Sequence, residues 1–256
     1  MHIFVSPHLD DAVLSCGATI AKLTAASDDV RVVTVFTGEP TTLSPLAKAM
    51  HRMWGLAGVR DRRNEDVQAC SVVGADCEHL GFHEALYRVD PAGKPCYGRL
   101  RLLTGPVAAQ DDAVLARIAS TLTEVFERWP GAGIHGPAAV GDHVDHALTR
   151  QAVQLALQRP LRPGDHRLQL YEDLPYGCRA TGTAGKPPGR EVLSACSARY
   201  RDTKIAAVER YATQLDLLWP ERDWARELSE HSARIGAGCG DYVERSWLVD
   251  HTGVGS

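Results

Sequence analysis

Apolar runs rich in β-branched residues alternate along this chain with segments whose apolar residues recur at helical spacing. Residues 30–36, VRVVTVF, consist almost entirely of β-branched and aromatic residues, and further strands are predicted at 2–7, 79–82, 131–137 and 167–171. A strand that is apolar throughout is buried on both faces, as in a parallel sheet. The alternation therefore predicts an α/β fold with a mostly parallel sheet and helices on both faces.

The segments between these strands have the pattern of amphipathic helices. The predicted helices cover residues 12–26, 60–74, 112–128, 145–158, 199–218 and 221–235, and a last strand is predicted near 244–249. Residues 86–111 and 178–190 are rich in Gly and Pro and lack periodicity, which predicts a surface excursion and a loop. Neither a repeat nor a linker divides the chain, so we expect one domain over residues 1–256.

The charge balance excludes two classes of function. The chain has 28 Lys and Arg residues and 32 Asp and Glu residues, which gives a formal net charge of −4. A protein whose main task is to coat nucleic acid or an anionic membrane needs a basic face. No window of the sequence approaches the ~20 apolar residues that span a bilayer. The opening MHIFVSPHLDD lacks the basic region and the following apolar region of a signal peptide. We therefore expect a cytoplasmic protein.

The seven cysteines are scattered, and no two of them form a C-x-x-C pair. A disulfide framework and a Cys-ligated zinc site both have recognisable cysteine spacings. The sequence therefore predicts neither, and the thiols are interpreted as reduced packing residues.

A histidine and two carboxylates follow the first predicted strand directly, in the string PHLDD at residues 7–11. His8 and Asp11 are three residues apart, so a turn that opens into a helix can direct both at one point. A neutral imidazole and a carboxylate suit Zn²⁺, and Asp10 could face the same cavity without being a ligand. The alternative is that Asp10 and Asp11 are N-cap and first-turn residues that stabilise the helix by ~1 kcal/mol.

A second cluster, GDHVDH at residues 141–146, follows another predicted strand. His143 and His146 lie at i, i+3, on neighbouring parts of a helix face. Alone, this string could be a solvated polar cap. However, ligands of open α/β sheets bind at the carboxyl ends of strands, and the two clusters together supply two or three ligands with spare acids and bases. That composition is typical of a catalytic zinc site with an open coordination position.

The strings SPHLDDAVLSCG and GDHVDH together resemble the PIG-L/LmbE-like family of zinc-dependent N-deacetylases, which act on N-acetylglucosaminyl compounds and related amides. The resemblance covers about residues 1–176, includes RRNED, LGF and YEDLPYG, and leaves 178–256 more divergent. It implies a single Rossmann-like domain. The family's first motif is usually P-H-P-D-D-E; Leu9 and Ala12 stand here at the second Pro and the Glu, and neither position is a metal ligand in the family.

The resemblance also implies a role for each residue of the two clusters. Three residues bind one zinc ion, or another divalent metal: His8, Asp11 and His146. Asp10 is the general base for the attacking water. His143 stabilises the tetrahedral intermediate and protonates the leaving amine, and Asp145 orients His143. These roles agree with amide hydrolysis, in which zinc polarises the carbonyl and lowers the pKa of water toward ~7 while a carboxylate accepts the proton.

Two further residues are candidates for contacting the sugar. Arg62, in RRNED, matches the arginine of the family's R-x-x-E motif, and a surface ion pair with an acidic neighbour is the alternative. Glu84 falls near a position where relatives carry an aspartate that grips the sugar, and its greater reach leaves that contact open. Glu172 and Asp173, in YEDLPYG, could line the pocket or form a turn.

The favoured hypothesis is a metal-dependent hydrolase that removes an N-acyl group, expected to be acetyl, from an amino-sugar or a glycosylated small molecule. A second hypothesis keeps the zinc chemistry and takes a thiol-conjugate amide or another small N-acyl metabolite. A third is a non-catalytic Rossmann-like module. Against the third, PHLDD stands where a dinucleotide site has G-x-G-x-x-G, and its carboxylates would repel a phosphate. The loops at 38–58, 86–111 and 178–190 are expected to wall the pocket.

Overall fold

A computed structural model describes residues 1–54, 58–158, 166–179, 187–220, 222–239 and 241–249. Its seven strands are β1 (His2–Ser6), β2 (Val30–Phe36), β3 (Asp76–Phe82), β4 (Gly133–Pro137), β5 (Arg167–Tyr171), β6 (Arg190–Cys196) and β7 (Tyr242–Val249). They form one sheet in the order β3-β2-β1-β4-β5-β7-β6. The first five pair in parallel, whereas β7 runs antiparallel to both β5 and β6. The predicted mostly parallel α/β sheet is confirmed.

The helices are α1 (Asp11–Ala25), α2 (Pro45–Trp54), α3 (Val59–Val73), α4 (Asp112–Glu127), α5 (Val144–Gln158), α6 (Tyr176–Arg179), α7 (Ala198–Val208), α8 (Ala212–Leu218) and α9 (Trp224–Ile235). Two of them differ from the prediction. Helix α2 lies inside the segment 38–58 that was expected to be a loop. The single helix predicted at 199–218 is two helices, α7 and α8, because the chain bends at Tyr211, whose buried hydroxyl donates to Asp66 Oδ1 at 2.8 Å.

Alternate residues of β1 enter two cores, one on each face of the sheet. Ile3 and Val5 pack with residues of α4 and α5 such as Leu122. Phe4 points the other way and packs with Leu14 of α1 and with residues of α3 and α7. Helices therefore cover both faces of the sheet, as the apolar strands predicted. The neighbouring strands β1 and β4 end at the same edge of the sheet.

The segment 86–111 is a surface excursion only in part, because most of its residues are exposed but several polar ones are buried. It begins within a short 3₁₀ turn, Ala85–Tyr87, and contains two more, Leu100–Leu102 and Ala109–Asp111. Arg88, Tyr97 and Asp111 are buried, with exposures of 5%, 3% and 1%. Composition misled here because these polar groups satisfy one another inside the protein: Arg88 donates to both carboxylate oxygens of Asp111, and the Tyr97 hydroxyl donates to Asp111 Oδ2.

Most of the predicted loop 178–190 lies outside the described residues, which omit 180–186. Within the described parts of the chain, no helix is both long enough and apolar enough to cross a membrane.

Candidate active site

The two histidine–carboxylate clusters lie side by side at one edge of the sheet. Residues 7–11 follow β1, residues 138–143 lead from β4 into α5, and β1 and β4 are neighbours. Ser6 shapes the first turn, because its Oγ donates to the His8 carbonyl at 2.7 Å and accepts the Ala12 N–H at 3.0 Å. In the second turn Gly141 has φ +90°, and a Cβ there would lie 2.5 Å from Tyr176 Cδ1. Only glycine fits that position.

Three histidines and one carboxylate converge where the two turns meet. His8, His143 and His146 each offer a ring nitrogen within 4.8 Å of the others. Asp11 Oδ2 lies 3.2 Å from His8 Nδ1 and 3.4 Å from His146 Nε2. His146 is completely buried, and its Nε2 forms no hydrogen bond with any of the residues that the structure describes. A buried imidazole nitrogen directed at a carboxylate and otherwise unpartnered is the arrangement of a metal ligand.

In each of the two histidines that face Asp11, the other ring nitrogen contacts a second carboxylate. His8 Nε2 lies 3.0 Å from Asp145 Oδ2, and His146 Nδ1 lies 2.6 Å from Asp173 Oδ1. Histidine metal ligands commonly donate the other ring N–H to a carboxylate, which fixes the tautomer and raises ligand basicity. The residues present therefore fit a Zn²⁺ ion.

Asp173 is a site residue that the sequence left open between lining the pocket and forming a turn. It directly follows β5, which pairs with β4, and it is completely buried. A carboxylate at the end of the next strand of the sheet was the signal that could have placed it.

Asp10 and Asp11 are adjacent, but their surroundings move their pKa values apart. Burial and, after it, the neighbouring Asp11 carboxylate raise the pKa of Asp10 to about 7, against the opposing effect of Arg62. Burial opposes ionisation of Asp11 as well, but the His146 and His8 imidazoles hold the pKa of Asp11 below its ordinary value. Asp11 is thus a permanent anion suited to a metal, whereas Asp10 titrates where a general acid–base catalyst should.

His143 is a neutral imidazole with a defined tautomer. Desolvation by the surrounding side chains lowers the pKa of His143 to about 3. The backbone N–H of Asp145 donates to His143 Nδ1 at 3.2 Å, so the single ring proton is on Nε2. A cavity lies beside the two clusters, and His143 lines it together with His8, Asp10 and Asp11. His143 can therefore donate a hydrogen bond to an oxygen that gains negative charge.

The side chain of Asp145 contacts other partners than the one expected. The resemblance has Asp145 orient His143, but its carboxylate faces His8 and accepts from Arg88 Nη1 and the Ala85 N–H. Only its backbone contacts His143. Arg88, which the sequence reading did not single out, thus anchors the carboxylate behind His8.

The two proposed sugar-binding residues meet in the wall of the cavity. Arg62 Nη1 donates to Glu84 Oε1 at 2.6 Å. Arg62 is only 7% exposed, so the surface ion pair weighed as its alternative is not present. The remaining wall combines apolar residues from α2 and from 86–111, namely Met50, Leu86 and Leu103, with Tyr176 of α6 and Gln214, Leu217 and Leu218 of α8. The expectation that 38–58 and 86–111 wall the pocket is met by these side chains, whereas the contribution of α8 was not foreseen.

Comparison with known proteins gives one family and a consistent group of relatives. The model of the PIG-L family, described as GlcNAc-PI de-N-acetylase, matches residues 3–157. A 2'-N-acetylparomamine deacetylase of Streptomyces fradiae is 33% identical over 179 residues, which cover 68% of this chain and 57% of that protein. The chain therefore spans little more than half the length of this relative. A 2'-N-acetylparomamine deacetylase of Niallia circulans is 28% identical over 231 residues, covering 83% of this chain and 80% of the relative.

Solved structures extend the likeness over nearly the whole fold. The zinc-inhibited form of a teicoplanin deacetylase superposes with a TM-score of 0.83 at 33% identity and covers 96% of each chain. A deacetylase of the A40926 pseudoaglycone gives a TM-score of 0.79 at 32% identity and covers 96% of this chain and 95% of its own.

Proposed function

The chain belongs to the PIG-L family of de-N-acetylases, as its two motifs predicted, and on that premise we propose that it hydrolyses an N-acetylated amino-sugar compound with a bound zinc ion. One observation carries the proposal. His8 Nδ1, His146 Nε2 and Asp11 Oδ2 converge beside a cavity that Asp10 and His143 also line. The proposed metal ligands, the proposed general base and the proposed hydrogen-bond donor thus lie around one cavity.

The relatives support the substrate class. Two are named for 2'-N-acetylparomamine, and the solved structures are named for teicoplanin and for a pseudoaglycone. We infer a glycosylated small molecule for this chain too, with Arg62 and Glu84 facing its hydroxyl groups from the cavity wall. A cytoplasmic location stays a prediction from the sequence.

Zinc would be held by His8, Asp11 and His146, since Asp11 Oδ2 lies within 3.4 Å of a ring nitrogen of each of these histidines. When bound, the metal supplies Lewis acidity toward the amide carbonyl and lowers the pKa of water. Asp145 and Asp173 keep the two histidines in the tautomers that turn Nδ1 of His8 and Nε2 of His146 toward Asp11.

The protein's own groups move the protons. Asp10 accepts a proton from the attacking water, and its pKa of about 7 lets it return that proton to the leaving nitrogen at neutral pH. His143 donates its Nε2–H to the carbonyl oxygen as negative charge develops there. This division differs from the role expected for His143, because a neutral imidazole is a weak acid and Asp10, which lines the same cavity, can supply the proton for the amine.

A substrate screen tests the proposal. The zinc-loaded protein is incubated with N-acetylglucosaminyl compounds and, in parallel, with N-acetylcysteine conjugates, and acetate release is measured. We expect turnover of the amino-sugar compounds only. Turnover of the cysteine conjugates alone would contradict the proposed amino-sugar substrate and would leave the amide hydrolysis intact. Turnover of neither compound by the zinc-loaded protein would contradict the proposed activity itself.

A further inference from the structure

A second cluster of metal-ligating side chains lies between α3 and β3, the strand at the edge of the sheet. Asp66 and Cys70 are four residues apart on α3 and therefore share a helix face. Cys77 and His79 are two residues apart on β3 and therefore share a face of the sheet. The chain reverses between them at Gly74, which has φ +76°. The short connection brings all four side chains to one place.

Four potential ligand atoms lie close together, at hydrogen-bonding separations that are mostly shorter than those around a tetrahedral ion. His79 Nε2 is 2.8 Å from Asp66 Oδ2 and 3.2 Å from Cys77 Sγ, and Cys77 Sγ is 3.5 Å from the same Asp66 oxygen. The sulfur atoms of Cys70 and Cys77 and a carboxylate oxygen of Asp66 all lie within 4.8 Å of one another. With ordinary Zn–S, Zn–N and Zn–O lengths, neighbouring ligands in a tetrahedral site are roughly 3.3–3.8 Å apart. Side-chain shifts would admit an ion: the contact between His79 and Asp66 must lengthen from 2.8 Å, and Cys70 must approach the other ligands.

The surroundings hold the cluster in place and leave it a route to solvent. The Tyr211 hydroxyl donates to Asp66 Oδ1 at 2.8 Å, and Thr34 Oγ1 donates to Asp66 Oδ2 at 3.2 Å, which fixes the carboxylate. Asp66 and Cys70 are buried, whereas Cys77 and His79 are partly exposed at the sheet edge. Two sulfurs, one imidazole nitrogen and one carboxylate oxygen select zinc-like ions over magnesium or calcium.

We propose that Asp66, Cys70, Cys77 and His79 form a second, structural site for zinc or a similar thiophilic divalent ion. Four protein ligands and no open position are typical of structural zinc sites. The ion would join α3 to the edge of the sheet, and α3 carries Arg62 one turn before Asp66. This proposal departs from the sequence expectation that the cysteines only pack, because a spacing of seven residues unites two thiols only when a helix, a turn and a strand fold back on each other.

Cobalt(II) binding to the whole chain under reducing conditions separates this site from the catalytic one. None of the described residues that line the catalytic cavity is a cysteine. A thiolate-to-cobalt charge-transfer band in the near ultraviolet therefore reports on the second site alone. We expect the metal-stripped wild-type chain to take up two equivalents of Co²⁺ and to develop this band.

Cysteine variants assign the band. Cys77→Ser should lose the band and one equivalent of Co²⁺, and Cys178→Ser, a matched change at another partly buried thiol, should keep both. A band that is absent from wild type, or that survives in both Cys70→Ser and Cys77→Ser, would overturn the proposal. The wild-type result does not depend on how a variant folds. Failure of the proposed deacetylase activity is distinguishable, because it would leave the band intact.

Discussion

Replacing Asp173 by Asn should weaken metal binding, although Asp173 is not a proposed ligand. Its Oδ1 lies 2.6 Å from His146 Nδ1, its Oδ2 accepts the Val140 N–H at 2.8 Å, and the side chain is completely buried. The carboxylate thus keeps the ring proton on Nδ1 and leaves His146 Nε2 directed at Asp11. Asparagine has nearly the same size but lacks the charge that makes the imidazole a stronger ligand.

The expected loss follows from this contact. Removing the carboxylate partner of a histidine ligand typically costs roughly 10–100-fold in metal affinity, which is about 1.4–2.8 kcal/mol at 25 °C. The assay is competition for Zn²⁺ between the protein and a chromogenic chelator, with wild type and variant measured in parallel. Turnover at saturating zinc then shows how much of the defect is caused by metal loss.

The neighbouring carboxylate provides a matched control. Glu172 is also buried, but it accepts from His231 Nε2 at 2.8 Å and from Arg245, away from the proposed zinc ligands. Glu172→Gln should therefore leave the zinc affinity unchanged. Equal losses in both variants would indicate general destabilisation, and an unchanged zinc Kd in Asp173→Asn would refute the argument that this carboxylate tunes His146.

Three further variants test separate parts of the site. Asp10→Asn should keep its zinc and lower turnover by ~10²–10⁴-fold, since it removes the proposed general base; zinc analysis with kinetics checks this, and loss of the metal would contradict it. Arg62→Gln should raise KM for the amino-sugar with little change in kcat in steady-state kinetics, as for a group that binds substrate and transition state alike; a fall in kcat alone would count against it. Arg88→Leu removes the guanidinium that pairs with the buried carboxylates of Asp111 and Asp145 and should lower the free energy of unfolding by about 3–5 kcal/mol in urea titrations; an unchanged midpoint would contradict this.

The parts of the fold that the sequence predicted are those with a strong local pattern. Strands β2 and β5 have the predicted bounds, 30–36 and 167–171, because each is a continuous or alternating apolar run. Strand β6 was not predicted at all. It lies at the sheet edge with most of its side chains exposed or half-buried, so it presents no apolar run to read.

The same distinction holds for the site. The sequence could place the two histidine strings close together because one follows β1 and the other follows β4, and neighbouring parallel strands bring their carboxyl ends together. The carboxylates and the arginine that hold these histidines in place could not be predicted from the sequence. Asp173 is 27 residues from His146, and Arg88 is 57 residues from Asp145. Nothing in the local sequence of 86–111 indicates that an arginine there pairs with carboxylates inside the protein.

The most direct test of the central claim combines zinc content with acetate release from an N-acetylated amino-sugar, measured on wild type and on His146→Ala. Chelation should abolish wild-type turnover, and added zinc should restore it. His146→Ala should hold one equivalent of zinc less than wild type and should stay inactive when zinc is added, because two ligands do not hold the ion tightly. Full wild-type activity after the metal has been removed, or wild-type zinc content and turnover in His146→Ala, would contradict the account.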